Sequence, residues 1–158
     1  MYVHPSQPNA AALQRILSNL DDNLLKPYEE PGNALSRSGY STLPLPWDFT
    51  ECKGLFDEAS FERVEWDKDG VPSAPPREDG SPGPFVVISE PTKLSLVEMA
   101  LGSSSMVIRW REANPELAGG DEDPVKVTMK HLREANAGEE QIYVSASLHL
   151  LLMRRSTE

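Results

Sequence analysis

A single cysteine, Cys52, stands in this chain of 158 residues, so no internal disulfide can form and no cysteine-rich metal site is available. A reducing, cytoplasmic setting is the expectation. The stretch from Met1 to Asn9 has neither the cationic nor the apolar segment of a secretory leader. Long apolar runs are absent too. The longest, Leu148 to Met153, is interrupted by His149 and is far too short to cross a bilayer. Hydrophobic residues make up 39% of the chain, which allows only a lean core. Basic residues are the scarce charge: 15 Lys and Arg face 25 Asp and Glu, for a formal net charge of −10. That excess works against nucleic acid and anionic membrane surfaces, whose recognition depends on Lys and Arg neutralising phosphate.

Against these shortages stand 14 prolines and 10 glycines, several of them between Gly70 and Pro84. The length predicts one domain over 1–158, with 68–84 as a flexible, acidic, Pro/Gly-rich loop within it. Helical spacing is clear after Pro8, where Asn9 is placed to cap and Leu13, Ile16, Leu17, Leu20 and Leu24 form one apolar stripe up to Pro27. Lys26 to Trp47 reads as a long ordered loop, and Leu55 to Ala59 as a short helical turn. Ser95 and Glu98 have the spacing of a capping box, so a helix is expected from there to Gly102, resuming over Ser103 to Ala113. Asp123-Pro124 opens another helix, with Asp at the cap and Pro at the first helical position, and Gly138 stops it.

Two segments read as strands. From Phe61 to Asp67, Val64 and Trp66 share a face with Glu62, while Phe61, Arg63 and Glu65 share the other, which suits a sheet edge with one solvated face. From Gln141 to Arg154, one face is apolar throughout and Leu151 and Met153 make the other apolar as well. A strand greasy on both faces is expected inside a sheet, covered on both sides. Phe85 to Ile88 is a third, short candidate. Antiparallel pairing of 61–67 with 141–153, with a helical insertion between them, is the expected topology.

Several blocks then carry a family likeness. Glu30-Pro31-Gly32-Asn33, Leu43-Pro44-Leu45-Pro46-Trp47, Arg109-Trp110-Arg111-Glu112 and Leu150-Leu151-Leu152-Met153, in that order and spacing, resemble the trans-aconitate methyltransferase-like group common in fungi, within the class I S-adenosylmethionine-dependent methyltransferases. Tyr2-Val3-His4-Pro5 is similar to the end of that family's fifth strand. The resemblance implies an α/β, Rossmann-like sheet, incomplete here and α+β as an isolated fragment, ending in an antiparallel strand pair with a helical cap insertion. It implies a transferase acting on a small molecule such as a carboxylic acid or secondary metabolite. The family's donor-binding parts, a Gly-rich loop after the first strand and an acidic residue ending the second, match nothing here, so no cofactor is assigned to this chain. A truncated enzyme unable to transfer methyl groups alone is the leading expectation. The alternatives are a pseudoenzyme or small-metabolite binding or cyclase-type protein that reuses the cap, and a subunit completed by a partner chain or a homo-oligomer.

By the same resemblance, the Pro-Gly loop lies near the substrate pocket. Arg37 and Tyr40 could grip a carboxylate there, with Trp47 and Trp110 as pocket walls, so these four are expected around one cavity. Plain packing is the competing reading for Trp47 and Trp110. Arg109 and Arg111 point about 200° apart on a helix, so at most one faces a pocket. His4, His131 and His149 show no ligand spacing, and no metal site is expected. The runs Glu29-Glu30, Glu78-Asp79 and Asp121 to Asp123 are explained by solvation and capping.

Overall fold

The computed structural model describes residues 1–68 and 91–156. The expected strand at Phe85–Ile88, and the acidic loop beyond Lys68, lie outside the described residues. The chain forms β1 (Tyr2–Val3), α1 (Ala10–Asn19), α2 (Pro31–Arg37), β2 (Phe56–Trp66), β3 (Thr92–Lys93), α3 (Leu94–Gly102), α4 (Ser105–Ala113), α5 (Pro124–Ala135), β4 (Gln141–Ile142), β5 (Val144–Ser145) and β6 (Leu148–Arg155). It is a mixed helix and strand fold with small antiparallel sheets, and α3, α4 and α5 are the helical insertion between β2 and β6.

The core is built on helices. Leu13, Leu17 and Leu20 from the first helical segment meet Leu94, Val97, Met106, Val107, Val125, Met129 and Leu132 from α3, α4 and α5, with Val3 and Ile142 adding buried apolar residues from strands. The stripe expected on α1 holds as far as Leu20 and then shifts. Residues Leu20–Leu24 form a π-helical turn in which the Leu25 N–H donates to the Leu20 carbonyl at 2.9 Å. One extra residue in the turn rotates the stripe, so Leu25 is wholly buried and Leu24, the expected member, is 38% exposed. A 3₁₀ turn at Lys26–Tyr28 then accommodates Pro27.

Capping sorts into one success and several corrections. Asp123 caps α5 as expected, accepting from the Val125 N–H, with Pro124 at the first position. Asn9 sits at the start of α1 with φ +58° and makes no side-chain cap; its amide reaches the Ala135 carbonyl at 3.4 Å. The Ser95–Glu98 box does not form, because α3 runs directly out of β3 from Leu94 and Glu98 turns instead to Lys126 at 2.6 Å and Arg133 at 3.4 Å on α5. The expected loop 26–47 contains α2, whose Pro31 occupies the first turn and whose Asn33 side chain accepts from the Glu30 N–H at 3.1 Å. Leu55–Ala59 is not helical; β2 starts at Phe56.

The three strand pairs among the described residues all draw on the last segment. Gln141–Ile142 pairs with β3, Val144–Ser145 with β1, and Leu148–Arg155 with β2, every pair antiparallel. The single strand expected over 141–154 is thus broken into three, and of its expected pairing with 61–67 only the β6 part is present, from Glu62 opposite Leu152 to Trp66 opposite Leu148. Beyond it the register slips: four residues separate Asp57 from Glu62, whereas one separates their partners Arg154 and Leu152. The Ser60 hydroxyl fills the gap by accepting from the Arg154 N–H at 2.8 Å.

Among the described residues, cover on both faces of β6 is not found. Leu150 and Leu152 are 39% and 43% exposed, and no residue of β6 is buried. The other face, with His149 and Arg63, packs on the turn after α2. A two-stranded ribbon offers too little sheet to shield an apolar strand from both sides.

Buried polar groups fasten this segment to the helices. The Gln7 side chain accepts from the Tyr143 N–H and donates to Asn136 Oδ1, both at 2.9 Å. Asn136 in turn donates to the Glu139 and Gln141 carbonyls. Unmade, such buried bonds cost roughly 1–3 kcal/mol each.

Candidate functional site

Arg37 is the last residue of α2, and its guanidinium turns back across the first helical segment. It donates to Asp22, and to Glu29 Oε1 at 3.0 Å. Burial pulls the Arg37 pKa down, but Asp22, Asp21 and Glu29 push it up and prevail. Beside it opens a cavity of about 360 Å³ whose walls include Gln14, Ser18, Asp21, Asp22, Arg37 and His149. Asp21 has no hydrogen bond or ion pair among the described residues. Burial raises its pKa, and Arg37 offsets only part of that rise. Gln14 is fixed by accepting from the Val3 N–H at 2.8 Å, which ties the wall to β1.

His149 closes the same cavity from β6. Its Nδ1 is buried and has no hydrogen bond among the described residues, although Glu65 Oε1 lies 3.3 Å away. The ring rests on Gly39, where an added Cβ would stand 2.5 Å from the imidazole Cε1. Gly39 and Tyr40 are consecutive left-handed residues, φ +62° and +60°. Arg63 locks both, donating to the Gly39 carbonyl at 2.8 Å and the Tyr40 carbonyl at 3.1 Å.

The four residues expected around one pocket are therefore distributed. Arg37 lines the cavity. Tyr40 is 38% exposed and contributes its backbone to Arg63. Trp47 packs edge-on against Phe61 at 5.4 Å, on the ribbon. Trp110 packs against the helical core. None of the last three lines the cavity of Arg37. Asp21, Asp22, Gln14 and His149 do line it. The signal that could have found the acidic pair was their place one turn past a buried stripe; His149 carried none, because its cavity depends on the approach of β6 to α2.

The two arginines beside Trp110 point apart as expected, and both are occupied. Arg109 donates to the Tyr28 carbonyl at 2.8 Å, to Glu30 at 3.2 Å and to Asn33 Oδ1 at 2.5 Å. Arg111 grips the buried Asp123 with two bonds, at 2.6 and 3.2 Å. Asp123 also accepts from the Gly119 N–H at 2.9 Å. Burial raises the Asp123 pKa, but the guanidinium and two backbone N–H groups outweigh it and hold the carboxyl below its usual value.

Gly119 and Gly120 form the close glycine pair in which a nucleotide-type cofactor loop could be sought. They lie between α4 and α5 and follow no strand. The Gly119 N–H is taken by Asp123 and the Gly120 N–H by the Leu117 carbonyl at 3.0 Å. Both N–H groups are therefore held by acceptors of the chain itself and are not turned outward. Among the described residues no group of three His, Cys, Asp or Glu could hold a metal ion. No helix among them is long and apolar enough to cross a membrane.

No family model and no curated protein matches the chain. Among solved structures, a candidate type II methyltransferase from Anaeromyxobacter dehalogenans aligns with a TM-score of 0.48 and 20% sequence identity, over 97% of this chain and 46% of that one. The chain thus spans less than half the length of that protein.

Proposed function

We propose that this chain is the substrate-side part of a methyltransferase-type protein acting on a small molecule, and that it does not hold S-adenosylmethionine by itself. The observation that carries the reading is the pairing of the last segment. Val144–Ser145 runs antiparallel to β1 and Leu148–Arg155 runs antiparallel to β2, as the resemblance implies for a final strand inserted beside a fifth strand. Contact between two of the blocks that carry the resemblance, Arg109 with Glu30 and Asn33, supports it further. Because the one close glycine pair is turned inward, no catalytic step through the methyl donor is assigned to these residues.

The cavity at Arg37 is the substrate pocket in this reading. A ligand carboxylate there would replace Asp22 on the guanidinium, exchanging one charge-assisted bond for another, so binding is weak. Tyr40, Trp47 and Trp110 take part only if the ribbon and α4 move toward the cavity when the ligand enters. Calorimetric titration with a small tricarboxylate tests this. Measurable binding that weakens by about 1.5–3 kcal/mol in Arg37→Ala is the expected result. Equal affinity in the two proteins removes Arg37 from the site.

A second reading, a metabolite-binding protein or pseudoenzyme that reuses the cap, is favoured by one observation. Arg37 is already neutralised by Asp22 and Glu29, which suits a neutral ligand. In that case a neutral polar metabolite binds and the tricarboxylate does not.

A further inference from the structure

The π-helical turn at Leu20–Leu24 has a second consequence, at the flank of the buried stripe where the first helical segment meets α5. Leu24, displaced from the stripe by Leu25, becomes a wall of a groove between the first helical segment and α5, about 350 Å³ in volume. Ala12, Ile16 and Val127 add to its apolar surface, and Arg15 and His131 line it from the two facing helices. Among the described residues no Asp or Glu lines it. Arg15 has no ion pair or hydrogen bond among the described residues. This contrasts with Arg37, Arg109 and Arg111, each spent on carboxylates or carbonyls of the chain.

We propose that this groove binds a small amphipathic anion, with a carboxylate on Arg15 and an apolar body along Ile16, Leu24 and Val127. Three features converge on it. An unpaired guanidinium is the one group in its lining able to hold a carboxylate by two parallel bonds, and the His131 ring offers a further N–H. Apolar walls with a few convergent polar groups, at this volume, are what small-ligand sites present. The π turn, an irregularity found often at functional sites, is what places Leu24 in the wall. The occupant is a free, monomeric amphiphile and not a membrane surface, because the net charge of −10 repels anionic bilayers. The site is separate from the Arg37 cavity and independent of the methyltransferase reading.

The test uses decanoate below its micellar concentration, decanol and decylammonium as probes, followed by amide chemical shifts and calorimetry on the whole chain. Decanoate is expected to perturb amides of residues 12–24 and 127–131 and to bind tighter than the other two. Arg15→Gln, at an exposed position, is expected to weaken decanoate about tenfold or more while leaving decanol unchanged. Leu24→Ser should weaken decanoate and decanol alike. Decanoate binding that is equal in wild type and Arg15→Gln overturns the proposal. So do shifts confined to the Arg37 cavity, decylammonium binding as tightly as decanoate, or association only with phosphatidylglycerol vesicles.

Discussion

Arg109 and Asn33, 76 residues apart in sequence, meet through a 2.5 Å hydrogen bond from the guanidinium to the amide oxygen. The same guanidinium takes the Tyr28 carbonyl and Glu30, and the Asn33 amide nitrogen donates to Ser105. One arginine on α4 thus fixes the entry of α2, and α2 carries Arg37 to its cavity. Arg109→Ala should lose about 1.5–3 kcal/mol of stability, the worth of a bond to a charged group. Arg109→Lys should recover less than half of that, because an ammonium cannot present a planar fork to three acceptors. Urea denaturation of the three proteins measures it, and a lysine variant as stable as wild type would contradict the clamp.

Asp123 supports a prediction with a pH sign. Its carboxyl is held below its ordinary value in the fold, so it contributes stability that is full above the unfolded-state value of about 4. That contribution is lost as pH falls through the lower, folded-state value. Asp123→Ala should cost about 2–4 kcal/mol near neutrality, from the lost helix cap and the unpaired Arg111. The gap between the two proteins should narrow below about pH 4. A gap that stays constant from pH 7 to pH 3 would contradict the assignment.

Gly39 is required twice, for its φ of +62° and for the imidazole against it. Gly39→Ala should destabilise the chain by about 1–3 kcal/mol. Gly39→Ala combined with His149→Ala removes the clash and should recover part of the loss. Thermal unfolding of both variants checks the pairing; no recovery in the double variant would place all the strain in the backbone.

Ala137 offers a gain. It follows α5 with φ +55°, while its N–H donates to Glu134 and the Gly138 N–H to Arg133, the pattern of a helix end that favours glycine at the first of these positions. Here the sequence has its glycine one residue late. Ala137→Gly should raise stability by roughly 0.5–1 kcal/mol, read as a higher urea midpoint at unchanged slope. A lower midpoint would contradict it.

These sites separate what local sequence encodes from what it does not. Asp123-Pro124 was legible because a cap is satisfied within three residues. The β2–β6 pair was legible because β2 alternates and β6 is a short apolar run, although their lack of cover among the described residues was not, since cover depends on elements elsewhere. The switch from Leu24 to Leu25 was illegible: a helical and a π-helical turn share one apolar pattern until the i to i+5 bond chooses between them. Helix α2 was masked by Pro31 and Gly32, read as turn residues when Pro31 in fact begins a helix. At the candidate site, Arg37 was legible as a residue type. Its companions Asp21, Asp22 and His149 were not, because α2 and β6 bring them together from three distant segments. The Gln7–Asn136 pair was hidden for the same reason.

Calorimetric titration of the intact chain with S-adenosylmethionine tests most directly the proposal that this chain carries a substrate side and does not hold the methyl donor by itself. No binding tighter than about 100 μM, roughly −5.5 kcal/mol, is the predicted result, with no change on replacing Gly119 or Gly120 by alanine. A tighter dissociation constant would contradict the proposal, and its loss on either glycine substitution would place the donor site at that pair.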